Sequence, residues 1–542
     1  MILFYYNKAC KWMNSSKIEE WSNLADTNVT ILFTSDVHGN IYPLLYGNNQ
    51  PANVGLGKVA AILAEERSKN EHTIVIDNGD LIQGTPLTYH YVHSLADKKN
   101  PMIKILNKLQ YDGAVIGNHE FNYGLDILRK AAAESEFPWL CANIIEEATN
   151  QPFLGKPYII KKLGNISVAI LGITTHYIPN WESPSNISGL GFNDALEEAK
   201  YWVGKIKAEE QPDCIVVSYH GGFERDIDTG EPTEALTGEN QGYSMCEQIQ
   251  DLDVLLTGHQ HRTLTGNING VEIIQASNNG QLIGKMTLTF NEKSELTAKK
   301  SELLSTDGIE ADPEILKLAY DYEQSTQQWL DTPIGFIEGD MTVCDPMETR
   351  LSDSPLIEFI NKVQMEAAGV KIANTALFNN DSPGFKPNVT MRDIVSNYIY
   401  PNTLKVLSVS GKDIKDALEQ SAKYFEIDEN GNPAVNKTYL YPKPQHYNYD
   451  MWEGIDYILD ISKPVGQRVT KLQTAGADIN EDEQFEVVMN NYRAGGGGNY
   501  FMYQNKPVLR EVQFDMSELI ADYIMERKTV KATCDHNWKV VW

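Results

Sequence analysis

Eight side chains in the first half of the chain are of types that bind metal ions or move protons, and they fall at regular places. Asp36 and His38 close the stretch VTILFTSDVH, and Asp80 closes TIVIDNGD. Asn118 and His119 sit near the end of AVIGNHE. His220 closes CIVVSYH, and His259 and His261 close VLLTGHQH. Carboxylate, amide and imidazole donors without thiolates suit Mn, Fe, Zn, Co or Ni, with no choice among them. Seven such ligands are too many for one ion and suit two ions that share a carboxylate. Asp80 is the natural bridge, because a carboxylate offers two oxygens. Two ions about 3.5–4 Å apart clamp the attacking and leaving oxygens of an in-line phosphoryl displacement. Each pattern alone is short, and a lone H-x-H is more often incidental than catalytic. Five of them in order, each after a strand, are not independent accidents.

The elements that must position these groups are five buried apolar runs, each stopping at a Gly, Asp, Asn or His turn. In an α/β sheet, ligands bind where the carboxyl ends of the strands converge. The D-x-H spacing places Asp36 and His38 on the same side of a strand. Between the strands, residues 55–70 and 193–210 carry apolar residues at helical spacing. This alternation predicts a layered α/β domain over 28–310, after a polar lead-in at 1–27. A helix starting at Asp312-Pro313 and ending at Pro333 reads as a connector, 311–335. Residues 336–530 have helices and strands of their own and are long enough to fold alone, leaving 531–542 as a tail. With ligands in one domain and a base-binding region in the other, a hinge near 311–335 would align them.

The 542 residues carry a formal charge of −28 and are 42% hydrophobic. So acidic a surface argues against nucleic acid polymers, which need a positive face. It does not exclude a small phosphate substrate, because a bound dication inverts the local field. The six cysteines (Cys10, Cys141, Cys214, Cys246, Cys344, Cys534) contain no C-x-x-C pair. Their spacing suits neither a disulfide scaffold nor a zinc-thiolate site. The remaining histidines, His536 among them, read as surface or ordinary polar positions. No run of about 18 apolar residues predicts a membrane span. The apolar start is too short for a signal segment, so the chain as written reads as cytoplasmic; a trimmed leader would place it in the periplasm or at the cell surface. The oligomeric state is open.

The ordered set Asp36-Val37-His38, Gly79-Asp80, Gly117-Asn118-His119-Glu120, His220 and Gly258-His259-Gln260-His261 resembles the calcineurin-like metallophosphoesterases. The resemblance implies a four-layer α/β/β/α domain. It implies that Asp36, His38, Asp80 and His261 hold one divalent ion, and that Asp80, Asn118, His220 and His259 hold the second. His119 would hydrogen-bond a phosphoryl or leaving oxygen, and a water or hydroxide between the ions would be the nucleophile. The stretch NNYRAGGGGNYF (490–501) resembles the α/β C-terminal domain of the 5′-nucleotidase family. Carried over, Tyr500 stacks on the nucleobase. The second aromatic is Tyr449, or Tyr447 if the match slips by two residues. Arg350 and Arg493 are candidate polar contacts.

Within that family, residues 397–422 and 458–472 resemble the bacterial 2′,3′-cyclic-nucleotide 2′-phosphodiesterase/3′-nucleotidases. FNNDSPGFKP (378–387) stands where 5′-nucleotidases carry an arginine-bearing loop, and it lacks the arginine. Asn122 stands where 5′-nucleotidases carry an Asp beside the catalytic His. An amide orients the imidazole but does not stabilise imidazolium as a carboxylate would. The implied reaction opens nucleoside 2′,3′-cyclic phosphates to 3′-nucleotides and then releases phosphate. Its rivals are a 5′-nucleotidase or nucleotide-sugar hydrolase of the same fold, and a non-catalytic nucleotide-binding protein. The complete ligand set argues against the latter.

Overall fold

A computed structural model describes residues 26–542 apart from Trp181, Ala235, Pro401, Pro442 and Gln513. Nearly all of the expected lead-in, with Cys10, lies outside the described residues.

Two six-stranded sheets form the centre of the first domain. One runs in the order Leu296–Ser305, Leu282–Phe290, Thr27–Thr34, Thr73–Asp77, Gly113–Val115, Trp139–Leu140. The other runs Thr263–Ile268, Val271–Ala276, Val254–Thr257, Cys214–His220, Ile166–Thr174, Tyr158–Leu163. Their central strands are apolar on both faces, and the alternation of side chains divides each of these between two cores. Ile31 and Phe33 of one sheet meet Val216, Val254 and Leu256 of the other in a core between the sheets. Leu32 and Val75 point the opposite way, onto Leu56, Val59, Leu63 and Leu106 of the outer helices. Val217 and Leu255 likewise meet Val203 and Ile206 on the far side. Helix, sheet, sheet and helix therefore stack as four layers, as expected. The helices Leu56–Lys69 and Ala195–Glu209 fall within the segments read from periodicity.

The connector helix spans Pro313–Leu330, and the Asp312 carboxylate caps it by accepting from Glu314 N (2.7 Å) and Ile315 N (3.2 Å). It is not a free spacer. Its Ile315, Ala319, Tyr322 and Leu330 are buried in the core of the first domain. The chain passes to the second domain only after Leu330, where Arg392 grips Asp331 Oδ1 (2.7 Å) and Gln327 Oε1 (2.7 Å).

The second domain has a five-stranded sheet, in the order Asp450–Glu453, Ile372–Ala376, Gln484–Asn490, Leu404–Ser410, Val508–Val512, with smaller sheets beside it. Residues 531–542, expected as a tail, are part of its framework. Thr529–Lys531 pairs with Pro333–Glu338, and Trp538–Val541 pairs in parallel with Asp456–Asp460. The reason is apolar: Val530, Trp538 and Val540 are buried in that domain's core. No helix among the described residues is long and apolar enough to cross a membrane.

Candidate active site

The strands deliver their donors to one edge, but by a sharper route than simple alternation. The first strand ends at Thr34, so Asp36 and His38 lie beyond it. Asp36, His38, Asp80, His259 and His261 all have positive φ, between 48° and 64°. A non-glycine residue in this region costs about 1–3 kcal/mol and clusters at functional sites. The chain thus kinks as it leaves three of the five strands, and the kinks, not a shared strand face, bring Asp36 and His38 together. Main-chain bonds lock the kinked loops to each other: Asp36 N donates to Gly79 O (2.9 Å) and His38 N to Asp80 O (2.8 Å). Gly117 is required here, because a Cβ would lie 2.3 Å from Asp80 Oδ1.

Two groups of donors result. Asp36, His38 and His261 form one, and Asp80, His220 and His259 the other. His261 Nε2 is 3.3 Å from Asp36 Oδ1 and 3.1 Å from His38 Nε2. His220 Nε2 is 3.2 Å from Asp80 Oδ2, and the same oxygen is 4.0 Å from His38 Nε2, so Asp80 faces both groups. Asn118 Oδ1 joins the second group, 3.1 Å from His220 Nε2 and 2.9 Å from His259 Nδ1. The structure therefore brings together all seven of the donors expected from sequence.

The chemistry of these donors fits divalent ions. His38 Nδ1 and His220 Nδ1 face the carbonyls of Gln83 (3.2 Å) and Asn78 (2.7 Å), so each donates its proton outward and turns Nε2 to the centre. Burial would raise the Asp80 carboxyl, yet the charge on His220 outweighs it and holds the group well below the usual range. Burial disfavours a charge on His220 too, but Asp80 and Asp36 push it up to about 10; at His38 burial wins and holds the imidazole down to about 3. These buried carboxylates demand positive charge, which an imidazolium or a bound cation provides.

Several supports were not found from sequence. Glu120, fully buried, accepts from Gly117 N (2.6 Å), Asp80 N (2.8 Å) and Leu81 N (2.7 Å), and so fixes the Asp80 loop. Glu239 Oε1 lies 3.0 Å from His259 Nε2. Lys443, from the second domain, donates to His259 O (3.4 Å).

His119 stands beside the donors without joining either group. Its backbone N donates to Asp80 Oδ1 (2.8 Å), and its Nδ1 is 2.6 Å from Asn122 Oδ1. Asn122 Nδ2 in turn donates to Glu182 Oε2 (2.7 Å). That bond sets the amide's direction, so His119 Nδ1 carries the proton and Nε2 remains for substrate. The carboxylate that seemed missing at position 122 is thus present one residue further out, on a buried glutamate 60 positions away. Glu182 thus reaches His119 through Asn122, as a positioning residue would. A bond to a charged acceptor is worth about 1 kcal/mol more than one to a neutral acceptor. Glu182→Gln should therefore lower kcat about five- to tenfold with KM unchanged. Steady-state kinetics at saturating metal checks this; a change in KM alone would remove Glu182 from the relay.

A cavity of about 990 Å³ opens over His119 and both donor groups, and its opposite wall belongs to the second domain. Tyr447, Tyr492, Tyr400, Phe378 and Phe501 line that wall. Tyr449 and Tyr500 do not, which corrects the expected base clamp. Both are fully buried. Tyr449 stacks on Tyr424 at 5.1 Å, and Tyr500 lies against the Arg493 guanidinium at 3.8 Å with its hydroxyl on Ser421 Oγ (2.7 Å) and Asn448 O (3.0 Å). Phe501, 46% exposed, is the next residue after Tyr500, and Tyr447 is the two-residue alternative to Tyr449. The two arginines are also corrected. Arg350 holds Leu377 O (2.9 Å), Asn379 O (3.2 Å) and Asn380 Oδ1 (2.8 Å) from behind, and Arg493 pairs with Asp450 (2.6 Å) and donates to Tyr447 O (2.9 Å). They brace the loops that carry Phe378 and Tyr447, and neither faces the cavity. The glycine run serves a close approach between domains: a Cβ on Gly495 would lie 1.9 Å from Asn180 O.

Known proteins resemble this chain in sequence and fold. Residues 29–263 match the calcineurin-like phosphoesterase family, and residues 333–505 match the 5′-nucleotidase C-terminal domain. The chain is 29% identical to the 2′,3′-cyclic-nucleotide 2′-phosphodiesterase/3′-nucleotidase of Salmonella typhimurium, over 88% of this chain and 82% of that one. It is 26% identical to the trifunctional nucleotide phosphoesterase protein YfkN of Bacillus subtilis over 96% of its own length, and spans 39% of that protein. A solved structure of a putative 5′-nucleotidase from Staphylococcus aureus, in complex with alpha-ketoglutarate, is 35% identical with a TM-score of 0.88, covering 95% of this chain and 100% of that one.

Proposed function

Because the chain belongs to the calcineurin-like phosphoesterases that carry a 5′-nucleotidase C-terminal domain, we propose that it opens nucleoside 2′,3′-cyclic phosphates to 3′-nucleotides and hydrolyses these to nucleoside and phosphate. The observation that carries this reading is a single cavity with the donor groups and His119 on one side and an aromatic wall from the second domain on the other. A phosphate and a base attached to one ribose would reach both.

In this reading Asp36, His38, Asp80 and His261 hold one divalent ion, and Asp80, Asn118, His220 and His259 hold a second. Such ions supply Lewis acidity toward phosphoryl oxygens and activation of water. The chain's own residues do the rest. His119, oriented by Asn122 and Glu182, presents Nε2 to the oxygen that leaves. With His119 as imidazolium, protonated at both ring nitrogens, a water oxygen bonds to phosphorus as the P–O2′ bond breaks and the Nε2 proton passes to O2′, while the proton released by the water restores Nε2 through solvent; in the second reaction the same exchange breaks P–O3′ and protonates O3′. Phe501 and Tyr447 offer ring faces to the base, which is sequence-tolerant because every base has a π-face.

The loop 378–387 supports the cyclic and 3′ branch. It presents Phe378 and Asn379 to the cavity, and the nearby Arg350 lies behind it with its donors committed to main-chain and amide oxygens. The Salmonella typhimurium relative bears the name of this activity. A second reading, 5′-nucleotidase, is favoured by the similarity to the putative 5′-nucleotidase from Staphylococcus aureus. Chromatography of the products of 2′,3′-cyclic AMP tests the proposed bond. Transient 3′-AMP followed by adenosine is expected; accumulation of 2′-AMP would mean that the P–O3′ bond breaks and would overturn the reading.

Phe501→Ala should raise KM for 3′-AMP about 5- to 150-fold with little change in kcat, since stacking is worth about 1–3 kcal/mol per base. Tyr449→Phe should leave KM unchanged, because the buried Tyr449 hydroxyl has no partner to lose. An unchanged KM in Phe501→Ala would move the base elsewhere in the cavity.

A further inference from the structure

Away from the cavity, a second set of ligand-type side chains gathers where the end of the chain crosses the second domain. The segment before the last strand is tied to Glu358, on the helix Pro355–Ala368. Thr533 Oγ1 donates to Glu358 Oε1, and Asp535 N donates to Glu358 Oε2 (2.7 Å). At this crossing Cys534 Sγ lies 3.1 Å from Asp353 Oδ2 and 3.3 Å from His536 Nδ1. His536 N donates to the same carboxylate oxygen (3.1 Å). One oxygen, one sulfur and one ring nitrogen thus stand within 4.8 Å of one another.

Two further facts point to a cation. Asp353 is 6% exposed, and the second oxygen of its carboxylate, Oδ1, has no hydrogen-bond partner. Glu453, 5% exposed, has an unpartnered Oε2 as well. A buried polar atom without a partner costs about 1–3 kcal/mol, and more when it is charged. The charges do not balance either. Lys362 pairs with Glu358, and among the described residues no lysine or arginine pairs with Asp353 or Glu453.

The trio is not built as a nucleophile. The carboxylate meets the thiol rather than the imidazole, and the thiol donates to it. A thiol held in its protonated form is inert. A metal ion reverses this, because a coordinated thiol gives up its proton outright. We propose that Asp353, Cys534 and His536 form a binding site for a zinc-type divalent ion that fastens the C-terminal segment to the second domain. Mixed sulfur, nitrogen and oxygen donors suit Zn²⁺ and its analogue Co²⁺. The spacing of the cysteines did not suggest such a site, because its carboxylate comes from 181 positions upstream.

The catalytic donors include no sulfur, so the two sites can be read separately in the full-length enzyme. Co²⁺-loaded wild type should show a thiolate-to-cobalt charge-transfer band in the near ultraviolet. The band should vanish in Cys534→Ser and weaken in His536→Gln, an exposed position where folding is not at stake, while both variants keep wild-type phosphate release. Zn²⁺ should also raise Tm of the wild type more than that of Cys534→Ser. Absence of the band in wild type, or its persistence in Cys534→Ser, would overturn the proposal.

Discussion

Replacing His119 with alanine should lower kcat by about 10²–10⁴, the range for a positioned proton donor, while leaving the metal content unchanged. The retention of metal follows from the geometry. The His119 side chain is in neither donor group, and the bond to Asp80 comes from its main chain, which alanine keeps. kcat and kcat/KM should fall together, as they do when an interaction made only in the transition state is removed. Metal analysis beside steady-state kinetics decides it. If His119→Ala loses an ion, His119 is a ligand and its assignment as proton donor fails.

Asp80→Asn should remove activity together with metal. Asparagine has the same shape and still accepts from His119 N, so the loop held by Glu120 remains in place. What is lost is one buried negative charge that faces both donor groups. Groups that merely orient a ligand already cost about 10–100-fold in affinity when mutated. A shared ligand should cost more than about 100-fold for each ion. Asp36→Asn, in contrast, should weaken one ion more than the other. A variant Asp80→Asn that retains both ions and its turnover would show that Asp80 does not serve as the bridge.

The convergence of the donors at one edge was legible in the sequence because two simple signals coincide there. Apolar runs such as CIVVSYH have to be buried between layers, and a polar donor at the end of such a run has to emerge at the sheet edge. The left-handed kinks were not legible. Nothing in D-x-H distinguishes a strand face from a turn, and the kink at Asp36 is held by Gly79 O, in another loop. The aromatic wall was misread by one or two residues for a related reason. Whether Tyr500 or Phe501 faces the cavity depends on Arg493 and Ser421, which bury Tyr500. The two arginines looked like polar contacts to substrate by type, yet both are fastened to backbone oxygens. Glu182 and Asp353 illustrate the general obstacle. Each completes a cluster whose other members are far away in sequence, and only the packed structure joins them.

One cavity joins the donor groups of the first domain to the aromatic wall of the second, and in the proposed function it acts on the 2′ and 3′ side of a nucleotide. The measurement that tests it most directly is kcat/KM of the Mn²⁺-loaded enzyme for 2′,3′-cyclic AMP, 3′-AMP and 5′-AMP side by side. Turnover of the cyclic diester, with 3′-AMP preferred over 5′-AMP, is the expected result. A clear preference for 5′-AMP, with the cyclic diester untouched, would contradict it.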